Sequence, residues 1–257
     1  MNDIDIIVLD LDGGAMLDEC LASIRAQRVA SRVILFDNGS STPTKDATAR
    51  SPQNLGFAGG ANAALRHSSA PYIALVNNDV VLQPDWLEQV RDALDRDPQL
   101  AAVQTIITRP DGRIDGAGID ISDGTFRQIG HGDVVGAPLA VTWGVSATAT
   151  LYRRAAIGDR FFEERFFAYY EDVELSARLR ATGWRTAVLP IVAAMHRGSK
   201  TASILGRDVL RLRTRNRYLV ARMHHGVGRI RALLWEDARL LLRGRSSLRG
   251  IAQGLFE

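Results

Sequence analysis

Three acidic side chains, Glu171, Asp172 and Glu174, follow a run of aromatic residues in the stretch FFEERFFAYYEDVELSARLRATGW, residues 161–184. A carboxylate in such a stretch can act as a general base that removes a proton from an attacking hydroxyl group. The alternative is that these acids only complement the dipole of a helix. Taken without other motifs, the stretch favours that alternative.

A helix must position these acids, and we predict one over the same stretch. The apolar residues between 173 and 179 alternate with polar ones, which alone would suggest a strand. Helix-forming residues dominate, however, Glu174 and Arg178 have the spacing of a favourable ion pair, and Gly183 can form a left-handed cap. Six aromatic residues before the helix suit either a core or the wall of a cleft: Phe161, Phe162, Phe166, Phe167, Tyr169 and Tyr170.

Polar residues also follow three short apolar runs that we predict to be buried parallel strands, at residues 4–9, 32–36 and 72–76. The carboxyl ends of such strands face the ligand crevice of an α/β sheet. The runs lead into DLDGG, DNGSS and NND, which contain Asp10, Asp37 and Asp79. Asp79 can offer an oxygen to Mg²⁺ or Mn²⁺, because such ions take one or two carboxylates together with substrate phosphates.

The first of these strand ends supports a competing interpretation. Asp10 and Asp12 precede two glycines, which resembles the nucleophile strand of the haloacid dehalogenase phosphatases. Gly14 stands where that family places Thr or Val, and no later strand is followed by its lysine and paired-aspartate motifs. The phosphatase alternative therefore depends on one short pattern.

A glycine-rich stretch, NLGFAGGANAAL at residues 54–65, can bring the backbone close to a ligand. We predict a loop through Gly56, Gly59 and Gly60 and a helix from Ala61 onward, whose first amides could face phosphate. The spacing fits neither the dinucleotide-binding pattern nor the P-loop. If it stood alone, the stretch would be a flexible loop before a helix.

Taken together and in order, DNGSS, NLGFAGG, LVNND, FFAYYEDVELSARLRATGW and MHRGS resemble the family 2 glycosyltransferases, especially their rhamnosyltransferase-like branch. The resemblance spans residues 4–199. It implies the A-type glycosyltransferase fold, an α/β, Rossmann-like domain with a mixed central sheet that binds a nucleotide sugar and a divalent metal, Mg or Mn. We assign this domain to residues 1–200, and a basic amphipathic helical extension to residues 201–257.

The resemblance also implies roles for single residues. Asp172 would be the catalytic base, and Asp79 would end the short metal motif. His196, in a loop after a strand predicted at residues 186–189, would approach the metal or the diphosphate. The nucleotide-sugar site would take Asp10, Asp37, Asn54, Gly60, Asn62, Asn77 and Asn78. The acceptor site would take Glu171 and Trp143, although a core position explains a tryptophan at least as well.

Three features depart from the family's pattern. Asp10, Leu11 and Asp12 replace the usual Asn-Tyr-Asn, Thr42 replaces a common acid, and Asn77 occupies the first position of the metal motif. These positions bear on nucleotide choice and metal affinity. They also keep a second alternative open, a noncatalytic sugar-binding relative of the fold.

Charge divides the chain into two parts. Residues 1–199 hold 19 Lys and Arg against 25 Asp and Glu, whereas residues 200–257 hold 13 against 4, so a basic tail follows an acidic body. The tail should form two helices, the first with an apolar stripe at Leu205, Val209, Leu212, Leu219 and Met223, the second at residues 227–243. Two alternatives stay open: the helices contact an anionic membrane surface, or they form a solvated hairpin that packs on the body or against a second subunit. We predict no nucleic-acid binding, because the tail lacks a recognisable motif.

The single cysteine, Cys20, lies on the apolar stripe of a helix predicted at residues 17–27, so we expect it in the core. One cysteine excludes an internal disulfide framework, and the apolar runs are too short for a membrane span. We therefore expect a cytoplasmic protein, at the inner face of the plasma membrane if the tail binds lipid.

Residues 109–129 do not identify the acceptor. Within them we predict a hairpin between residues 114–119 and 125–129.

These observations predict a metal-dependent inverting glycosyltransferase. It would move a sugar, rhamnose in the branch that it resembles, from a nucleoside diphosphate to a hydroxyl group. The acceptor would be a polyprenyl-linked or other glycan of bacterial surface polysaccharide synthesis.

Overall fold

The computed structural model describes residues 3–121, 126–136, 142–198, 206 and 208–256. The chain opens with the predicted βαβ unit, formed by strand β1 (Ile4–Asp10), helix α1 (Ala15–Arg25) and strand β2 (Arg32–Asp37). All seven residues of β1 are buried, because β1 pairs in parallel with β2 on one side and with β4 (Tyr72–Asn77) on the other. A continuous apolar run is typical of such a strand.

The sheet is mixed, as the resemblance implied. Its other strands are β3 (Ala49–Arg50), β5 (Val80–Leu82), β6 (Leu100–Thr108), β7 (Ile114–Gly116), β10 (Ala149–Arg153) and β11 (Arg185–His196). Within the described residues the order is β3-β2-β1-β4-β10-β6-β11-β5, and β7 pairs with β6. Strand β10 runs antiparallel to both of its neighbours.

Helices cover both faces of the sheet and enclose two apolar cores. On one face, α1 and α3 (Trp86–Arg96) bury Cys20 and Trp86 against the strands, which confirms the core position of the cysteine. On the other face lie α2 (Gly56–Leu65), the short helix α4 (Arg154–Ile157) and α5 (Glu171–Ala181), with Phe161 and Phe162 packed among them. The acids therefore do begin a helix, and the predicted pair of Glu174 and Arg178 forms at 3.4 Å.

Three local predictions were wrong. Helix α2 begins at Gly56 and not at Ala61, because its glycines lie inside a helix packed so closely on Asn38 that a Cβ at Gly60 would come within 2.9 Å of that side chain. Strand β11 extends to His196, which was expected in a loop. The third, the hairpin, was wrong only for its first residues: Ile114–Gly116 (β7) pairs with β6, whereas β8 (Ile119–Asp120) pairs with β9 (Arg127–Gln128) largely as predicted, and Thr125 lies outside the described residues.

The basic tail packs on the body as three helices, α6 (Asp208–Val220), α7 (Gly226–Leu241) and α8 (Leu248–Phe256), with a π-helical turn between the first two. Only the first two were predicted. Gly250 and Gly254 let α8 lie directly on α6, since a Cβ at either would come within 2.6 Å of an α6 carbonyl oxygen. No helix in the described part of the chain is long and apolar enough to cross a membrane.

Part of the apolar stripe predicted on the first tail helix faces the body. Leu212 and Leu219 are buried, Val209 is half-buried and Met223 is exposed, while Leu205 lies outside the described residues. Leu212 and Leu219 are therefore not free to form an interface with a second subunit.

Candidate functional site

A cleft of about 850 Å³ opens where the strands of the sheet end. Eight of the predicted site residues line it: Asp10, Asn54, Asn77, Asn78, Asp79, Glu171, Asp172 and His196. Four do not line it: Asp37, Gly60, Asn62 and Trp143. The cleft thus brings together residues that are separated by up to 186 positions in the sequence, with the sheet on one side and the start of α5 on the other.

Asp10 organises the strand ends through both of its carboxylate oxygens. Oδ1 accepts hydrogen bonds from the Gly13 amide at 3.0 Å and from the Asn78 side chain at 2.8 Å, and Oδ2 accepts one from the Thr44 hydroxyl at 2.6 Å. A phosphatase nucleophile would need a carboxylate oxygen free to attack. Here both oxygens bind neighbouring groups, which fits a residue that shapes the cleft floor.

Asp37, Gly60 and Asn62, which were predicted for the donor site, do not line the cleft but hold elements that form it. Burial alone raises the pKa of Asp37, but hydrogen bonds from Thr44 and Ser40 and the charge of Arg50 outweigh it, so that its pKa lies below the usual value. Gly60 makes room for Asn38. Asn62 exchanges two hydrogen bonds with the backbone of Phe162, at 2.8 and 3.0 Å, and so ties α2 to the aromatic stretch.

Asp79 and His196 meet at the cleft wall, as the resemblance implied, but a third residue joins them. His196 Nε2 lies 3.2 Å from Asp79 Oδ2, and its Nδ1 lies 2.8 Å from Asp115 Oδ2. Burial alone lowers the pKa of His196, yet the two carboxylates raise it to about 10, so that the imidazole is a cation between two anions. Sequence reasoning missed Asp115, because it lies on β7 in a region that carried no recognisable motif.

The residues at this wall supply only part of a binding site for a divalent cation. Asp79 Oδ1 is buried and has no hydrogen-bond partner among the described residues, so it can offer one carboxylate oxygen to a metal. Both nitrogens of His196 face carboxylates, which leaves neither free as a ligand in this arrangement. Among the described residues, no three or more His, Cys, Asp or Glu side chains are arranged so that together they could hold a metal ion. A hard ion here would depend on Asp79 and on substrate phosphates.

Asp172 and Glu171 face the cleft from the first turn of α5. Asp172 Oδ1 accepts a hydrogen bond from the Val173 amide at 2.8 Å, while Glu171 Oε2 is buried without a hydrogen-bond partner among the described residues. Burial raises the pKa of Asp172 to about 6, and burial together with the charge of Asp172 raises the pKa of Glu171 well above its usual value. The raised pKa suits Asp172 to accept a proton near neutral pH, and burial opposes the ionisation of both carboxyl groups together.

The backbone just before these acids is strained. Phe167, Tyr169 and Tyr170 have φ angles of 62°, 72° and 70°, which residues other than glycine rarely adopt. The fully buried Asn216 of α6 holds this segment, because its side-chain nitrogen reaches the carbonyl oxygens of Phe166, Ala168 and Tyr169 at 2.9, 2.9 and 2.6 Å. Strained backbone of this kind persists only where its surroundings fix it.

The tail therefore forms part of the site. Arg213 of α6 lines the cleft, and its guanidinium carbon lies 4.7 Å from the centroid of the Tyr169 ring. Leu219 and Val220 are buried in a small apolar cluster with Phe166 and Val173, which flank the acids. Sequence reasoning missed both Arg213 and Asn216, since nothing in the tail distinguished one polar residue from another.

Trp143 packs at the edge of this same cluster. Its ring lies 6.0 Å from that of Phe126, and the Arg180 guanidinium lies 5.8 Å from its centroid. This position corresponds to the core interpretation of the tryptophan.

Comparison with known proteins gives a consistent result. The sequence model of glycosyl transferase family 2 matches residues 6–161. The chain is 27% identical over 243 residues to the N-acetylglucosaminyl-diphospho-decaprenol L-rhamnosyltransferase of Mycobacterium tuberculosis, covering 79% of this chain and 78% of the relative.

Among solved structures, the mannosyltransferase PcManGT of Pyrobaculum calidifontis, in complex with GDP-Man and Mn²⁺, matches with a TM-score of 0.63 and 17% identity over 98% of this chain and 72% of its own. Residues 1–349 of TarS from S. aureus, in complex with UDP-GlcNAc, match with a TM-score of 0.62 and 15% identity over 99% of this chain and 76% of that one. This chain spans 39% of the longer TarS chain. At such identities, the structures bear on the fold alone.

Proposed function

The chain belongs to glycosyl transferase family 2, and from this premise we propose that it transfers a sugar from a nucleoside diphosphate to a hydroxyl group with inversion at the anomeric carbon. One observation carries the proposal. Asp172, whose pKa is raised by burial, and Asp79 line the same cleft. Asp79 lies at the strand ends, and its Oδ1 has no hydrogen-bond partner among the described residues. A base for the acceptor and a site for the diphosphate thus share one space.

The relatives support a choice of substrates. The M. tuberculosis relative is named as a rhamnosyltransferase that acts on a sugar carried by a prenyl diphosphate, and it matches over most of both chains. Two structural neighbours bind a nucleotide sugar, GDP-Man in one and UDP-GlcNAc in the other. We therefore favour a nucleoside-diphosphate deoxyhexose such as an L-rhamnose donor, and a lipid-linked glycan of cell-surface polysaccharide synthesis as the acceptor.

Asp172 performs the proton transfer in this proposal. The carboxylate takes the proton of the acceptor hydroxyl as its oxygen attacks the anomeric carbon, while the diphosphate leaves from the opposite face. The raised pKa of Glu171 beside it opposes a second negative charge at the acceptor site. Tyr169 and Tyr170 line the cleft next to these acids and would help to keep the attacking group close to its base.

Asp79 serves the donor side. Its free oxygen and the donor phosphates would hold a divalent cation, which would neutralise charge on the leaving diphosphate. His196, clamped between Asp79 and Asp115, adds a positive charge at the same wall. Asp10, Asn78 and Asn54 shape the floor on which the nucleotide would lie.

A transfer assay tests the proposal. Purified protein is incubated with a panel of nucleoside-diphosphate sugars and a GlcNAc diphosphate carried on a short prenyl chain, with Mn²⁺, with Mg²⁺ or with a chelator. We expect a glycosylated product that depends on the added metal, and we expect Asp10→Asn to retain part of this activity. A covalent phosphate on Asp10, or phosphatase turnover that this variant abolishes, would instead favour the phosphatase alternative.

A further inference from the structure

Two arginines of the tail stand on the aromatic rings beside the acids. The Arg213 guanidinium lies 4.7 Å from the centroid of Tyr169, and the Arg229 guanidinium lies 5.3 Å from that of Phe126. The Phe126 ring meets Tyr170 edge to face at 5.9 Å. The two cations therefore flank the short segment that leads directly into Asp172.

A smaller pocket of about 240 Å³ continues the cleft towards the tail. It shares Phe126, Arg127 and Tyr170 with the main cleft, and α7 adds Arg229 and Leu233 to its wall. Arg213 lines the main cleft together with Asp172, and Arg229 lines the smaller pocket, so a ligand that reaches Asp172 from the tail side would pass Arg229 and then Arg213. Asp79 and His196 line the main cleft but not the smaller pocket, so the smaller pocket does not include the diphosphate site proposed for the donor.

The charges of these two arginines are not neutralised by ion pairs with the described residues. Neither guanidinium lies within 4.0 Å of a described carboxylate, whereas Arg217 beside them pairs with both Asp237 and Glu236. Burial lowers the pKa of Arg229, although the charge of Glu236, which lines the same pocket and pairs with Arg217, acts in the opposite direction. A guanidinium fixed on a ring keeps its edge N–H groups available, and their fork matches phosphate oxygens.

We propose that Arg213 and Arg229 form an anion subsite that holds the diphosphate of a lipid-linked acceptor while Asp172 acts on the first sugar attached to it. This inference rests on the proposed glycosyltransferase function and names the acceptor class of that site. A sugar bonded directly to a diphosphate brings negative charge near the base, and a cationic subsite there would bind it. Arg213 at the cleft wall and Arg229 in the adjoining pocket provide this subsite, on tail helices that carry none of the residues proposed for the donor site.

Two acceptors that share one sugar test the subsite. GlcNAc diphosphate on a short prenyl chain carries the anion, and the octyl glycoside of GlcNAc does not. For Arg213→Gln and Arg229→Gln we expect kcat/KM to fall on the order of 10- to 100-fold more with the first acceptor than with the second. Arg213→Lys should retain part of the activity. Arg239→Gln is the matched control, because that tail arginine stands on Trp235, which is 69% exposed outside the cleft.

Binding without turnover separates this inference from the proposed function. We expect titration with a short prenyl diphosphate that carries no sugar to give heat with the wild type and none with the double variant, while both bind the nucleoside diphosphate equally. Equal losses with both acceptors, unchanged binding of the prenyl diphosphate, or a loss confined to the nucleotide would each overturn the subsite. Arginine-dependent binding without any sugar transfer would uphold the subsite and count against the glycosyltransferase proposal.

Discussion

The two walls of the cleft are built in different ways. On the sheet wall, Asp10 ends β1, and Asn78 and Asp79 follow the neighbouring parallel strand β4. A hydrogen bond from Asn78 to Asp10 and the contact of Asp79 with His196 hold these side chains in place. On the tail wall, Arg213 and Asn216 come from a helix that begins more than 35 residues after Asp172 and reaches the cleft only by docking. The sheet wall follows from local sequence and topology, whereas the tail wall depends on tertiary packing. Asp172 lies between the two and should depend on both.

Removing the base should have the largest effect. We expect Asp172→Asn to lower the single-turnover transfer rate by roughly 10²- to 10⁴-fold, because the amide cannot accept the hydroxyl proton. Donor affinity, measured by calorimetry on the same protein, should stay near the wild-type value, since the donor contacts belong to the sheet wall. Glu171→Gln is the control and should cost far less. A wild-type rate in Asp172→Asn would remove Asp172 from this role.

Breaking the tail wall alone should come next. Asn216→Ala removes three contacts to buried carbonyl oxygens, and at about 1 kcal/mol each this should lower the free energy of unfolding by roughly 2–4 kcal/mol. Well below the unfolding transition, kcat should also fall while donor affinity holds, because the strained segment no longer fixes Asp172. Arg211→Gln on the same helix, which loses only Asp208 and Gln253, should change neither. If kcat survives in folded Asn216→Ala, the tail does not position the base.

The sequence predicted the two walls unequally, and the reason is physical. Strand ends carry their chemistry at fixed positions, and the family resemblance of the motifs there already implied one site for Asp79 and His196, which lie 3.2 Å apart. Asp115 was missed because the pairing of β7 with β6 could not be read from a short strand in a turn-rich stretch. Arg213 was one of 13 basic residues in the tail, and only docking selects the one that faces the cleft.

Replacing one carboxylate on the sheet wall by a neutral amide should weaken donor binding there. Asp115→Asn removes one of the two carboxylates that hold His196, and a loss of this kind typically costs about 10- to 100-fold in metal affinity or activity. We expect the loss as weaker donor binding in the presence of Mn²⁺, measured by calorimetry. Asp111→Asn, on the exposed turn before β7, is the control. Unchanged donor binding in Asp115→Asn would separate the histidine from the donor site.

The raised pKa of Asp172 predicts a pH dependence of transfer. The residue acts only when it is deprotonated, so kcat/KM should rise with pH through about 6 and fall about tenfold per unit below that value. A pH profile of wild-type kcat/KM at subsaturating acceptor concentration measures this rise. The residual activity of Asp172→Asn should not show the rise near pH 6. If it persists there, another group controls the ascending side of the profile.

The smallest effect per residue should be at the outer surface of the tail, which we propose to contact an anionic membrane. Its exposed apolar side chains include Trp235, Leu242, Leu248 and Phe256. They lie among five exposed arginines: Arg231, Arg239, Arg243, Arg245 and Arg249. Each arginine near an anionic surface contributes about 1 kcal/mol, and salt screens the attraction over roughly 10 Å at about 0.1 M.

Replacing these five arginines by Gln isolates the electrostatic part of that contact, because Gln keeps most of the helical propensity. Arg215 and Arg222 are unsuitable for this purpose, since they bind backbone carbonyls of Phe166 and Gly254 and hold the tail in place. Co-sedimentation with vesicles that contain phosphatidylglycerol should fall with added salt and fall again in the five-fold variant, while transfer to a short-chain acceptor stays unchanged. Vesicles of phosphatidylcholine alone are the control. If the wild type ignores anionic vesicles at low salt, Trp235 and its apolar neighbours would be better explained by a second subunit. The tail would then act in the cleft through Arg213 and Asn216 without attaching the enzyme to lipid.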